Sequence, residues 1–207
     1  MTEKVIIIGL TGSIGMGKSE TAKMFERADI PVFDSDAAVH VLMGPDGAAV
    51  DLVDQAFPGV RGGGGIDRKL LGPRVFGDGA ALKKLESILH PMVSDRRQAF
   101  FDQAATEGHD MVVMDVPLLF ETGGDGKCDY TVVVSAAPEV QRQRVLARPG
   151  MSAEKFDQIL AKQMPDSEKR QRADFIVQSD QGIGYAEDQV HQLIEKILEN
   201  IQAQKSG

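Results

Sequence analysis

The segment Gly12-Ser13-Ile14-Gly15-Met16-Gly17-Lys18-Ser19 constrains what this chain can fold into more than any other stretch. It fits the pattern GxxxxGK[ST], follows the apolar run Val5–Leu10 and precedes Glu20–Arg27, which can begin a helix. Glycines let the backbone turn its N–H groups inward around phosphate oxygens, and the helix N-terminus adds partial positive charge. Lys18 is placed to reach β- and γ-phosphates, and Ser19 to offer its hydroxyl to Mg²⁺. A dinucleotide fingerprint is excluded by spacing, because the glycines at 12, 15 and 17 read GxxGxG rather than GxGxxG.

Val5-Ile6-Ile7-Ile8 is the continuous β-branched run that a strand buried on both faces requires, and it is the expected central strand. Val32-Phe33, Met111–Met114, Thr131–Val134 and Phe175–Val177 supply further strands, separated by helix-like or glycine-rich stretches. This alternation predicts an α/β P-loop NTPase fold in three layers, with a five-stranded parallel sheet and right-handed crossovers. At 207 residues, one such domain over 1–207 is expected rather than two. The interval from about Asp36 to Gly108 is too long for one crossover helix. Breaks at Gly44-Pro45, Pro58 to Gly65 and Gly72-Pro73 predict short helices forming an inserted substrate lobe, about 37–108. Gly62–Gly65 has no following Lys-Ser and reads as a flexible surface turn. Val190, Leu193, Ile194, Ile197, Leu198 and Ile201 repeat at spacings of three and four, which predicts a C-terminal helix packed on the sheet.

The net charge of −8 argues against nonspecific binding to nucleic acid or anionic membrane. Cys128 is the sole cysteine and reads as a partly buried apolar residue, compatible with a reducing cytoplasm. Val5–Leu10 is too short for a signal peptide or a membrane span. The expected molecule is a cytoplasmic monomer acting on small molecules.

A phosphate loop alone suits a kinase, a guanine-nucleotide switch or an ATP-driven motor. No Asn-Lys-x-Asp segment of the guanine-specific kind occurs. Asp34-Ser35-Asp36 follows the second strand, where loops at the carboxyl edge face a ligand crevice. Arg142, Arg144 and Arg148 follow the fourth strand, and a helix would put Arg144 and Arg148 on one face, where they could clamp phosphates. Ser152 is placed to cap a helix over Ala153–Gln163, and Pro165 to Arg172 adds three basic residues, so about 142–172 reads as a hinged lid. Asp115 ends an apolar strand and could bind a Mg²⁺-linked water. These features favour phosphoryl transfer from ATP to a small molecule. The competing class is a nucleotide sensor that transfers nothing.

Gly9–Ser19 (GLTGSIGMGKS), Val32–Asp36 (VFDSD), Ile66–Leu70 (IDRKL), Leu89–Val93 (LHPMV) and Pro117–Glu121 (PLLFE) occur in this order and together resemble the dephospho-CoA kinase family. The resemblance continues through Met151–Gln163 and Arg172–Val177. It implies transfer of the ATP γ-phosphoryl to the ribose 3′-hydroxyl of dephospho-CoA, the last step of coenzyme A synthesis. Asp36 would then orient that hydroxyl and accept its proton, with Asp34 in support; the plainer role for Asp36 is to cap a helix starting at Ala37. Leu118, Leu119, Phe120 and Glu121 would lie beside the substrate, although the leucines could equally be core. His90 would belong to the substrate lobe, and Arg144 and Arg148 would approach the ATP phosphates. Two places depart from the family pattern. Ser179-Asp180-Gln181-Gly182 stands where many relatives have an Asn-containing turn near the adenine. Glu20 stands where a threonine commonly follows the loop serine, which leaves the backbone to meet the α-phosphate.

Overall fold

A computed structural model describes residues 5–205. The chain runs through β1 (Ile6–Thr11), α1 (Lys18–Arg27), β2 (Val32–Asp34), α2 (Ser35–Met43) and α3 (Val50–Ala56). A small hairpin of β3 (Arg61–Gly62) and β4 (Gly65–Ile66) leads to α4 (Arg68–Val75) and the long α5 (Gly79–Glu107). Then come β5 (Met111–Asp115), β6 (Tyr130–Ser135), α6 (Pro138–Leu146), α7 (Ala153–Leu160), α8 (Asp166–Arg172), β7 (Phe175–Gln178) and α9 (Ile183–Lys205).

Among the described residues five strands form one sheet in the order β2-β5-β1-β6-β7, with β1 at its centre as its unbroken apolar run requires. β1 pairs in parallel with β5 and β6, and β6 with β7. The register sets Leu10 against Asp115 and Thr11 against Val133, so the phosphate loop and Asp115 leave the sheet at the same edge.

Up to Val32 and from Ala104 onward the chain forms one compact unit, and Phe33–Gln103 forms another. In the first unit Ile8, Leu10, Val132, Val134 and Val177 pack with Met24 and Phe25 of α1 and with Val190, Leu193, Ile194 and Ile197 of α9. The C-terminal stripe is therefore core, and each fully buried aliphatic side chain there contributes about 1.5–3 kcal/mol. Beneath Gly9 the packing is so close that an added Cβ would lie 2.6 Å from Cys128 Sγ and 2.8 Å from Leu119. In the second unit Leu42, Val53, Phe57, Leu71, Leu85 and Leu89 make a separate apolar cluster.

That second unit departs from expectation at Gly72-Pro73 and in the 29-residue length of α5, where short helices were expected. Gly44 does end α2, but Gly72-Pro73 breaks nothing: α4 runs through both, and the Phe76 N–H still reaches the Gly72 carbonyl at 2.8 Å. Likewise α5 is continuous through Pro91. An internal proline costs a hydrogen bond and about 3 kcal/mol, and the burial of Leu71, Leu85 and Leu89 outweighs it. The glycine run is the tip of the β3–β4 hairpin, with Gly63 and Gly64 at φ of +60° and +87°.

Candidate active site

The loop from Gly12 to Ser19 is shaped by side chains that hold its carbonyls. Gln141 Nε2 donates to the Ile14 carbonyl at 2.8 Å, Arg144 Nη1 to the Gly15 carbonyl at 3.5 Å, and Ser179 Oγ to the Met16 carbonyl at 2.6 Å. In a planar trans peptide the C=O and the next N–H point opposite ways. Drawing the Ile14 and Met16 carbonyls outward therefore aims the N–H groups of Gly15 and Gly17 toward the concave side. Gly15 and Gly17 adopt φ of +79° and +96°, a region that L side chains rarely enter. A Cβ on Gly17 would also lie 3.0 Å from Ser179 Oγ. Gly17 precedes the first turn of α1 without a side-chain cap, which leaves that helix end to an anion.

Lys18 pairs with Asp115, whose carboxylate is buried at the end of β5. Two residues nearly a hundred positions apart are thus brought together. Ser19 is exposed beside them. Glu20 turns along α1 to Lys23 at 2.7 Å, and this hydrogen bond holds its carboxyl below the usual carboxylate range. Ser13 and Met16 are buried; the Ser13 carbonyl closes a turn with the Met16 N–H at 3.1 Å, and Met16 Sδ accepts from the Ala136 N–H. The side chain of Met16 is therefore a packing element, and only its backbone belongs to the cradle.

The arginines do not form the expected helical pair. α6 ends at Leu146, so Arg148 lies beyond it, exposed. Arg144 forks onto Ser179, with Nη1 to Oγ at 2.8 Å and Nη2 to the carbonyl at 2.7 Å. It braces the loop against the turn after β7, while Arg142 lies over the Phe156 ring and near Asp157. Ser152 caps α7 as expected, accepting from the Lys155 N–H, but the helix stops at Leu160.

The Pro117–Glu121 segment turns inward. Leu119 has no exposed surface and Phe120 is 4% exposed, with the Arg172 guanidinium 4.6 Å above its ring. Both are packed inside, whereas Leu118 is 38% exposed. Glu121 pairs with Lys169 at 2.9 Å and accepts the Met164 N–H at 2.8 Å. Burial pushes its carboxyl up, yet the hydrogen bonds from Lys169 and Met164 together outweigh this and hold it low. Lys169 is completely buried and also donates to the Pro117 carbonyl at 3.3 Å. Of the three basic residues between Pro165 and Arg172, Lys169 and Arg172 tie α8 to this segment.

In the other unit Asp34, not Asp36, caps α2, accepting the Ala37 N–H at 2.9 Å. Asp36 sits in the first turn of α2 with its side chain exposed, and His90 is exposed on α5.

Residues 6–184 match the family model described as dephospho-CoA kinase. A dephospho-CoA kinase of Mesorhizobium japonicum is 55% identical over 193 residues, 93% of this chain and 97% of that protein. This chain belongs to the dephospho-CoA kinase family. The crystal structure of TT1252 from Thermus thermophilus superposes with a TM-score of 0.81 at 33% identity, covering 95% of this chain and 99% of that one. A dephospho-CoA kinase from Campylobacter jejuni shares the fold, with a TM-score of 0.62 at 21% identity over 92% of this chain and 96% of that one.

Within this family chain, sequence reasoning passed over Gln141, Lys169 and Ser179 as contributors to the site. Lys169 reads as one more charge in a basic run, and nothing local marks it as buried. Ser179 was noticed only as a departure from the family turn, whereas its hydroxyl holds the Met16 carbonyl.

Proposed function

We propose that this chain transfers the γ-phosphoryl group of ATP to the ribose 3′-hydroxyl of dephospho-CoA, giving CoA and ADP, the final step of coenzyme A synthesis. The observation that carries the donor side is the pairing of Lys18 with Asp115 at the start of an uncapped α1, beside a loop whose amides are already oriented. Preorganised donors stabilise charge on transferring oxygens without reorganising during the reaction. When a triphosphate is bound, Lys18 exchanges Asp115 for β- and γ-phosphate oxygens. Mg²⁺ keeps several waters and binds through one or two protein oxygens plus phosphates. The Ser19 hydroxyl and the Asp115 carboxylate fit that donor set, and the ion would offset phosphate charge there.

On the acceptor side Asp36 orients the 3′-hydroxyl and takes its proton. Support comes from the division of labour in α2: Asp34 meets the capping requirement, so the Asp36 carboxylate is left for substrate. In a loose transition state the proton leaves late, and orientation matters more than basicity. Leu118 contacts the substrate, and the region of about 142–172 acts as a lid with Arg148, exposed beyond α6, as a phosphate-seeking arginine. The chain works as a cytoplasmic monomer on this reading. Among the described residues no helix is long and apolar enough to cross a membrane.

The test is incubation of the pure protein with ATP, Mg²⁺ and dephospho-CoA, with the product read by mass. Formation of CoA is expected; phosphorylation of another nucleotide with no CoA would sink the proposal.

A further inference from the structure

We infer that Gln163 is a phosphate-positioning residue of the α7–α8 segment, an inference that rests on the kinase reading above. The cradle carbonyls are held by Gln141, Arg144 and Ser179, but the N–H of Ile14 is held too, donating to Gln163 Oε1 at 3.1 Å. Ile14 is thus gripped at both ends, its N–H by Gln163 and its C=O by Gln141.

The grip is fixed because the backbone around Gln163 is anchored. Its own N–H reaches the Leu160 carbonyl at 3.0 Å, and the next N–H, of Met164, reaches Glu121, which the fully buried Lys169 holds. A side-chain amide is planar, with one acceptor oxygen and two N–H donors on the same carbon. With Oε1 resting on the loop backbone, Nε2 is carried beside the loop, and among the described residues it donates to no group. A triphosphate in the cradle brings acceptor oxygens to that position. Gln163 supplies them with a neutral donor that needs no carboxylate to balance it, and it couples the placement of the α7–α8 segment to the presence of phosphate.

A purely mechanical tie would use only the oxygen. Gln163→Glu separates the two roles, since it keeps the shape and an acceptor for Ile14 but replaces both donors with a carboxylate oxygen. CoA formation and melting are to be measured for the wild type, Gln163→Ala and Gln163→Glu. For Gln163→Ala we expect kcat about 10- to 100-fold lower with the KM for ATP within about threefold, the size of one hydrogen bond to a charged group. Gln163→Glu is expected to lose at least as much, with an unchanged melting midpoint. Should the alanine variant fail to fold, the near-isosteric glutamate variant decides alone. Gln163→Glu within about threefold of wild-type kcat, or an alanine effect confined to KM, overturns the inference while wild-type CoA formation leaves the kinase reading intact. No CoA from the wild type overturns both.

Discussion

The Gly12–Ser19 loop and the Pro117–Glu121 segment were both singled out by their residue types, and they fared differently. The loop works through its backbone. Glycines at 15 and 17 are there because of their dihedrals, so the pattern specifies the geometry almost by itself. Pro117–Glu121 depends on which way side chains turn, and that is decided by partners some fifty residues on: Lys169 draws Glu121 inward and Arg172 covers Phe120. A motif of backbone shape is legible locally. A motif of side-chain orientation is not.

Mutations can break that contrast. The largest effect is expected at Lys18. Lys18→Ala should lower kcat about 10³-fold or more, because it removes a charge aimed at the transferring phosphoryl group. A loss under tenfold in a CoA-formation assay would remove the loop from the chemistry. Next comes Lys169→Met, which strands the partly buried Glu121 carboxylate and should cost about 3 kcal/mol of stability. At about 2–4 °C per kcal/mol for a chain of this size, the melting midpoint should fall by roughly 6–12 °C. An unchanged midpoint would mean that the inward turn of Pro117–Glu121 is not held by this pair.

The same pair gives a pH dependence. The Glu121 carboxyl is depressed in the fold, so its stabilising contribution is fully present above the ordinary carboxylate value. It is lost as pH falls through the lower folded value. Melting curves from neutral to acid pH should therefore be flatter for Glu121→Gln than for the wild type, and parallel curves would contradict the assignment. The smallest effect is expected at Leu118, the one exposed apolar residue of its segment. Leu118→Ala should raise the KM for dephospho-CoA by roughly three- to tenfold, the contribution of a partly buried aliphatic group, without moving the melting midpoint. A change in melting and none in KM would put Leu118 with the core.

Much of the fold could be read from the sequence because apolar periodicity is a local signal. The β-branched runs gave all the strands of the main sheet, and the stripe from Val190 to Ile201 gave α9. The second unit was harder. Gly72-Pro73 looks like a break, yet α4 passes through it, and α5 likewise passes through Pro91, because Leu71, Leu85 and Leu89 are buried in a shared cluster, a tertiary term that no local pattern carries. In the site, Asp115 at the end of β5 pairs with Lys18 at the start of α1, a contact that neither residue's own stretch of sequence announces. Arg144 carries more than its spacing announced, since its guanidinium reaches the carbonyls of Gly15 and Ser179 and braces the loop. Whether an arginine finds carbonyls or phosphates depends on neighbours that spacing cannot name.

The bracing of the loop also has a consequence for the order in which the molecule can be built. Gly12–Ser19 leaves the ribosome early, but the donors that orient its carbonyls stand at 141, 144 and 179, and the acceptor for Ile14 stands at 163. β1 gains its neighbours only when 111–115 and 130–135 have been made. A nascent chain cut short before β7 therefore carries the complete phosphate motif in its residues, and without Ser179 it lacks the hydroxyl that holds the Met16 carbonyl.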